Sequence, residues 1–182
     1  MKAAKAIENQ IRFTRDYQEM GSKVPSWQNV NECIVRAKGG LPDRDLKVEL
    51  HRPGLEVLAD PLLEKVFFNL FDNAIRHGGE QMKTIRVSSH ETQNGLVIVC
   101  EDDGAGIAEG DKKYLFTRGF GKNTGFGLFL SREILMISGI SIKETSTPGN
   151  GARFEITVQK GGYRYADKEL KTTEKGKELP PP

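Results

Sequence analysis

The hydrophobic and polar positions of residues 63–78 repeat with the period of an α-helix. One broad side of this helix is apolar and carries Leu63, Phe67, Leu70, Phe71, Ala74 and Ile75. The opposite side is polar and carries Lys65, Asn69, Asp72, Asn73, Arg76 and His77. Asparagine is a middling to poor helix former, so two asparagines four residues apart indicate a demand other than folding. Their amide oxygens could hold a hard cation or its waters, with Arg76 facing phosphate, and a solvated polar face is the alternative.

The remaining hydrophobic pattern predicts three more helices and several strands. Helical spacing covers residues 1–20, 30–37 and 126–137. Strand patterns cover residues 46–52, 55–60, 84–90, 96–101, 140–146 and 152–158, and residues 46–52 alternate at every position. The turn Gln93-Asn94-Gly95 is a strong hairpin signal between two of these strands. Residues 96–101 are apolar on both faces, which predicts a strand in the middle of a sheet.

Two stretches show no such pattern. Residues 104–123 are rich in glycine and lysine and predict a loop with at most a short helix at 112–116; long irregular segments in compact domains are often functional. The polar end of the chain finishes in three prolines and predicts disorder. We therefore expect a helical arm at 1–21, a connecting segment with a short helix at 22–45, a folded domain at 46–160 and a disordered polar tail at 161–182.

Composition narrows the class of protein. The 182 residues are 37% hydrophobic and 29% charged, with a net charge of +2, which predicts a globular protein and gives no basis for nucleic-acid binding. The longest apolar run, Leu96 to Cys100, is far too short to span a bilayer. Cys33 and Cys100 lack metal-ligand spacing and fit a reducing compartment, so we expect a cytoplasmic location.

The acidic motif Asp102-Asp103-Gly104-Ala105-Gly106-Ile107 follows the apolar strand. A carboxylate on a rigid strand end can accept a hydrogen bond from an exocyclic amine, and neighbouring glycines let the backbone approach a flat ring. Adenine offers that amine where guanine offers an oxygen, so such a site favours ATP over GTP. A plain turn is the alternative, because the motif lacks the further ligands of a calcium loop.

The glycine-rich segment 118–128 precedes the helix predicted from residue 126. Backbone N–H groups at a helix start, flanked by Arg118 and Lys122, form an anion seat. The segment is not a Walker loop, and no G-x-G-x-x-G follows a strand at the start of a βαβ unit.

The order of these motifs is more specific than any one of them. NLFDNAIRH, then DDGAGI, then a lysine-bearing loop, then TGFGLFLSREI resembles the N box, first glycine box, lid with its phenylalanine box and second glycine box of the catalytic ATP-binding domain of sensor histidine kinases. That domain belongs to the GHKL superfamily, and the resemblance covers residues 46–158. It implies an α/β fold, a two-layer sandwich with a mixed sheet of five or six strands and three helices on one face, and ATP between the helices and the lid.

The resemblance also implies roles for individual residues of the helix and the acidic motif. Asn73, with Asn69 close by, would bind the magnesium that bridges the phosphates. Arg76 would reach phosphate, and His77, where the family usually has tyrosine, would pack near the adenine. Spacing assigns the adenine amine to Asp102 and not to Asp103.

The glycine boxes and the lid supply the remaining candidates. Arg118 or Lys122 would neutralise the γ-phosphate, and with Asn69 they are the catalytic candidates. The nucleotide pocket would include Gly104, Gly106, Ile107, Thr124, Gly125, Phe126, Gly127 and Leu128. Asn123 replaces a common glycine and Phe126 a leucine, so the hinge of the lid departs from the family pattern at these two positions.

The resemblance favours phosphoryl transfer over hydrolysis. The superfamily's hydrolases carry a glutamate four residues before the metal-binding asparagine, and Asn69 at that position cannot accept a proton. None of His51, His77 or His90 has the helical context of a phosphoacceptor, although His90-Glu91 imitates the dipeptide. The acceptor histidine is therefore expected on a separate dimerisation domain, with residues 1–21 as the trailing end of a dimerisation helix; an ordinary surface helix is the alternative.

The expected function is that of a kinase core in two-component signalling, with ATP and Mg²⁺ as cofactors. Expected partners are the histidine-bearing domain and a response regulator. The parent is expected to be a homodimer, either cytoplasmic or anchored in a membrane, of which this chain is a monomeric or weakly dimeric part. Two alternatives stay open: an anti-sigma-type serine kinase of the same superfamily, and a nucleotide-dependent interaction module without transfer.

Overall fold

The computed structural model describes residues 2–42, 47–50, 54–120 and 125–166. Within these residues the helices are α1 Lys2–Glu19, α2 Val30–Gly39, α3 Leu63–His77, α4 Glu109–Lys112 and α5 Gly127–Ile137. The strands are β1 Ser26–Asn29, β2 Lys47–Leu50, β3 Leu55–Ala59, β4 Thr84–Thr92, β5 Gly95–Asp102, β6 Ser141–Glu144, β7 Arg153–Gln159 and β8 Tyr163–Tyr165.

The main sheet has five strands in the order β2-β4-β5-β7-β6. β2 runs parallel to β4, and the other neighbours are antiparallel, so the sheet is mixed as predicted. β5 lies in the middle, and its residues 95–100 are buried, which confirms the position inferred from its apolar pattern. Its carboxyl end delivers Asp102 to the edge of the helical layer.

A second, three-stranded sheet differs from the expectation of a single sheet. β3 pairs with β1 and β8, and not with the main sheet. Neither β1 nor β8 was predicted, because strands of four and three residues are too short to show a period. Tyr163 and Tyr165 pack against the core beside β3, so the ordered domain continues past residue 160, where the sequence placed the start of a disordered tail. Residues 167–182 lie outside the described part of the chain.

The helical layer covers the main sheet with α3 packed between α2 and α5, which confirms the two-layer α/β class. α3 buries an apolar face, with Phe67 and Phe71 fully enclosed. Asp60, which is 2% exposed, joins three elements at one end of this layer. Its carboxylate accepts hydrogen bonds from the N–H groups of Gly21 and Leu62, and its own N–H donates to the hydroxyl of Ser138.

The short helix of the irregular segment lies earlier than predicted. α4 occupies Glu109–Lys112, where the sequence suggested residues 112–116. Acidic Glu109 and Asp111 stand in its first turn, where negative charge stabilises the N-terminal end of a helix. Lys112 then ties this helix to the β6–β7 hairpin, because its ammonium lies 3.3 Å from a carboxylate oxygen of the buried Glu144 side chain.

Candidate functional site

A cavity of about 740 Å³ opens between α3, the loop that follows β5 and the start of α5. It joins residues that lie far apart in the sequence. The residues singled out from the sequence that line it are Asn69, Asn73, Arg76, His77, Asp102, Gly106, Ile107, Gly125, Phe126, Gly127 and Leu128. The three motifs therefore meet at one concave surface, of a size that suits a nucleotide.

The two asparagines of α3 differ in their surroundings. Asn69 donates from its amide nitrogen to the carbonyl of Gly127 at 3.0 Å and to the hydroxyl of Ser131 at 3.1 Å. Asn73 makes no side-chain hydrogen bond with the described residues, although it lines the cavity. An amide left without a partner on a cavity wall is available to a ligand.

The donor set of α3 fits a hard cation shared with a ligand. In the described ranges there is no group of three His, Cys, Asp or Glu side chains that could hold a metal by itself. Mg²⁺ commonly takes one or two oxygens from the protein and the rest from phosphates and water. The amide oxygens of Asn69 and Asn73 match that limited demand.

The basic end of α3 presents an arginine held in place. Arg76 donates from Nε to the carboxylate of Asp72, one turn earlier, at 2.7 Å. Both side chains line the cavity, and the ion pair leaves the terminal nitrogens of Arg76 for another acceptor. His77 also lines the cavity and is exposed.

Among the described residues, only one of the two carboxylate oxygens of Asp102 accepts hydrogen bonds. Its Oδ1 accepts from the N–H of Gly104 at 2.9 Å and from the N–H of Ala152 at 3.1 Å. Burial raises the pKa of Asp102 above its usual value, and the two backbone hydrogen bonds oppose that shift. A partly buried carboxylate that leaves Oδ2 at a cavity wall can accept a hydrogen bond from a ligand amine.

Asp103 is turned toward the sheet. Its Oδ1 accepts from the N–H groups of Lys83 and Thr84, which begin β4. Partial burial opposes ionisation, but these hydrogen bonds hold the pKa of Asp103 below its usual value. It does not line the cavity, so the choice of Asp102 over Asp103 agrees with their positions.

The glycines of the acidic motif allow close backbone contacts. A Cβ on Gly104 would lie 2.5 Å from the Cα of Gly78, at the end of α3. Gly106 has φ +76°, and a Cβ there would lie 2.9 Å from the carbonyl oxygen of Gly151. Gly104 is not among the residues that line the cavity, and its lack of a Cβ lets the end of α3 approach the loop; its contact with the nucleotide stays a prediction.

The start of α5 and the base of the lid form the third wall. Gly125 has φ +65°, and its carbonyl accepts from the N–H of Gly119, so the two ends of the segment between them meet. Among the described residues no side chain caps the N-terminus of α5 at Phe126, and the first N–H groups of a helix are a favourable seat for an anion. Lys122 and Thr124 lie outside the described residues.

Arg118 does not line the cavity, in contrast to its expected place at the γ-phosphate. Its guanidinium lies over two aromatic rings, 5.8 Å from the centre of Phe13 and 5.7 Å from the centre of Phe126. The two rings stack with their centres 4.1 Å apart. Helix α1 is therefore packed against the lid by an aromatic pair with a cation above it.

Sequence reasoning missed several residues of the site. Arg12, Phe13 and Asp16 of α1 line the cavity, although the helix precedes it by some fifty residues. Asp16 is 5% exposed and pairs with Lys65 of α3 at 3.5 Å. The one available signal was a bulky aromatic and a carboxylate three residues apart on α1, which alone indicates only a packed helical face.

The comparison with protein families gives one match that covers most of the site. The family described as histidine kinase-, DNA gyrase B-, and HSP90-like ATPases matches residues 59–162. This range contains α3, the acidic motif and the glycine-rich segment. It leaves out α1, β1, α2, β2, most of β3, and β8.

Individual relatives point in the same direction. The signal transduction histidine-protein kinase ArlS of Staphylococcus aureus (strain USA300) is 30% identical over 167 residues, 84% of this chain and 37% of its own length. The sensor histidine kinase ZraS of Escherichia coli O157:H7 is 37% identical over 105 residues, 56% of this chain and 23% of its own length. The chain thus spans less than two fifths of either relative.

Solved structures show the same fold. The catalytic domain of histidine kinase ThkA superposes with a TM-score of 0.63 at 25% identity, over 76% of this chain and 97% of that one.

Among the described residues, no helix combines the length and the apolar character needed to cross a membrane.

Proposed function

Because the chain belongs to the family of histidine kinase-, DNA gyrase B-, and HSP90-like ATPases, we propose that it is the ATP-binding kinase core of a sensor histidine kinase. It binds Mg-ATP in the cavity between α3 and α5 and donates the γ-phosphate to a histidine on a separate dimerisation domain. Its partners are that domain and a downstream response regulator. The observation that carries this proposal is that Asn69, Asn73 and Asp102 line one cavity at the start of α5.

Each wall of the cavity has a distinct task in this proposal. Asp102 accepts the adenine amine through the oxygen that the backbone leaves free. Asn73 and Asn69 hold the magnesium ion, which when bound neutralises phosphate charge. Arg76 and the first N–H groups of α5 hold the phosphates. Catalysis is mostly positioning and charge neutralisation, as is usual in phosphoryl transfer.

The lid must supply further positive charge at the γ-phosphate. Arg118 and Lys122 are the candidates, and Arg118 lies over Phe13 and Phe126 at the edge of the site. Asn69 stands where the hydrolases of the superfamily carry their general base. An amide cannot take a proton from water, which supports transfer to an acceptor over hydrolysis.

Calorimetric titration with ATP tests the binding part of the proposal. Asn73→Ala is expected to remove the magnesium-dependent part of ATP affinity. Asp102→Ala is expected to cost about 1.5–3 kcal/mol, the range for a hydrogen bond to a charged group. GTP should bind the wild type more weakly than ATP. Wild-type affinity in both variants would refute the assignment of this cavity.

Transfer requires a separate experiment. The chain is incubated with labelled ATP and a separately produced, histidine-bearing dimerisation domain of a sensor histidine kinase. Label that appears on that domain and is lost in acid indicates phosphohistidine. Acid-stable label would instead favour a serine kinase, and binding without any label would favour a nucleotide-dependent interaction module.

A further inference from the structure

Ser131 is a fully buried polar residue of α5 that faces the metal-binding side of α3. Its side chain is 0% exposed. Its hydroxyl donates to the carbonyl of Gly127, one turn earlier, at 2.9 Å, and lies 3.1 Å from the amide nitrogen of Asn69. The same amide nitrogen lies 3.0 Å from the carbonyl of Gly127. Asn69, Gly127 and Ser131 thus close a ring of three hydrogen bonds.

The ring determines which way the Asn69 amide points. The carbonyl of Gly127 can only accept, whereas the hydroxyl of Ser131 donates to that carbonyl at 2.9 Å and in this arrangement accepts from Asn69. Both neighbours of Asn69 within α5 are therefore acceptors. The reversed orientation would place the amide oxygen against the carbonyl oxygen of Gly127 and would take the Ser131 hydroxyl away from that carbonyl, so the amide presents its NH₂ group to α5. Oδ1 remains as the atom available to the cavity that Asn69 lines.

We propose that Ser131 is a positioning residue that fixes the amide of Asn69 with its oxygen, and not its NH₂ group, toward the metal. The proposal deepens the function given above and rests on it. An NH₂ group turned toward the cavity would place two donors beside a cation. Ser131 also links the residue that begins α5, where phosphate is expected to bind, to the helix that holds the magnesium ion.

A purely structural role is the competing explanation, because a buried hydroxyl needs a partner wherever it lies. The two explanations differ in what they predict for magnesium. A structural role affects the fold and binding as a whole, and a positioning role affects the magnesium-dependent part of nucleotide binding.

The first test is Ser131→Ala, measured by calorimetry with ATP in magnesium and with ATP in EDTA. Loss of a residue that orients a metal ligand typically costs about 10–100-fold in metal affinity, so the apparent affinity for Mg²⁺ in the ATP complex should fall by at least about tenfold. Affinity for ATP in EDTA should stay within about twofold. Ser138→Ala, the same change at the other end of α5, is the matched control and should leave both values unchanged.

Two further variants separate positioning from packing. In an Asn69→Ala background, Ser131→Ala should have no further effect on magnesium dependence, because the side chain it orients is gone. Ser131→Thr keeps the hydroxyl and should restore magnesium dependence to within about threefold of the wild type. Thermal unfolding of every variant identifies any that fails to fold. If Ser131→Ala does so, Ser131→Thr and the hydrogen exchange of the Asn69 side chain in the wild type decide between the two explanations.

A spectroscopic readout needs no nucleotide at all. In the ligand-free protein, the Asn69 side-chain NH₂ protons should exchange slowly with solvent, and Ser131→Ala should speed that exchange without changing the backbone amides of β5. Equal losses of affinity with and without magnesium, or an undiminished effect in the Asn69→Ala background, would overturn the proposal. Failure of the wild type to bind Mg-ATP would instead overturn the proposed function, and the exchange measurement would still judge the orientation of Asn69.

Discussion

At the scale of one residue, the carboxylate of Asp102 that is proposed to bind adenine also lowers the stability of the folded protein. Burial raises its pKa in the folded protein above the ordinary value of 3.8, so the folded state holds the proton more tightly than the unfolded state does. The free energy of unfolding must therefore decrease as the pH rises from about 3.8 through the raised pKa, and stay lower above it. At neutral pH the ionised carboxylate costs stability.

Asp102→Asn is expected to relieve that cost. The amide oxygen can still accept from the N–H groups of Gly104 and Ala152, and no charge is buried. The variant should unfold at a higher temperature than the wild type at pH 7, and the difference should shrink as the pH falls toward 4. ATP binding should weaken, because an NH₂ group would face the adenine amine. Thermal unfolding from pH 4 to 8 measures the effect, and a pH-independent difference would contradict it.

The turn before β7 offers a matched pair of glycines. Gly149 and Gly151 both have positive φ, at 86° and 72°, so alanine at either should cost about 1–2 kcal/mol in backbone strain. A Cβ on Gly151 would also lie 1.8 Å from the carbonyl oxygen of Asp102, whereas a Cβ on Gly149 meets nothing within 4 Å. Gly151→Ala should therefore displace Asp102 and weaken ATP binding at least tenfold, and Gly149→Ala should preserve it. Calorimetric titration of both variants with ATP measures the difference. Equal ATP affinities would contradict the predicted effect of the close contact between Gly151 and Asp102.

The sequence identifies residues of the site only where they stand out within a pattern formed by neighbouring positions. Asn69 and Asn73 stand out because they break the propensity of a helix whose apolar face is clear. Ser131 contacts Asn69 across 62 residues of sequence, and a serine in a helix has many ordinary explanations. Gly151 belongs to a turn that any hairpin would have. Contacts of this kind follow from the fold and not from spacing.

Helix α1 presents two different faces at the scale of an element. Phe13, 8% exposed, stacks on Phe126 at the start of α5. Ile7 and Ile11 lie on the opposite face and are 62% and 65% exposed. Both expectations for this helix, a packed surface helix and an arm of a longer dimerisation helix, are thus compatible with its position, each through a different face.

Phe13→Ala should release α1 from the lid. Loss of a buried phenylalanine costs about 3 kcal/mol at the lower end of its range, and the aromatic pair and the cation above it are lost as well. Amide hydrogen exchange within α1 should become faster, while that of the main sheet stays slow. Ile11→Ala removes a comparable apolar group from the exposed face of the same helix and should change stability by no more than about 0.5 kcal/mol. Similar exchange in both variants would show that Phe13 does not hold the helix.

Long elements are predictable here and short ones are not. α3, α5 and the β4–β5 hairpin carry several periods of their pattern, and all appear where the sequence places them. β1 and β8 have four and three residues and owe their structure to pairing with β3. Their partners lie some thirty and a hundred residues away, so no local signal could show them.

At the scale of the whole molecule, these short strands move the boundary of the folded domain. The sequence suggests that the domain begins at residue 46, and the family match begins at residue 59. Yet α2 buries Val30, Cys33, Ile34 and Ala37 in the common core, and β1 lengthens the second sheet. The unit that folds should therefore begin near residue 22, after α1.

Two truncations test this boundary. Removal of residues 1–21 takes away α1 and exposes Phe126, but it should leave a cooperative unfolding transition, since the helical layer and both sheets remain. Removal of residues 1–45 also removes Val30 and Ile34, worth about 1.5–3 kcal/mol each, and uncovers their partners on α3. Against a total stability of about 5–15 kcal/mol, that loss should abolish cooperative unfolding followed by circular dichroism. A sharp transition in the shorter chain would restore the boundary at residue 46, and loss of folding in the longer one would make α1 part of the domain.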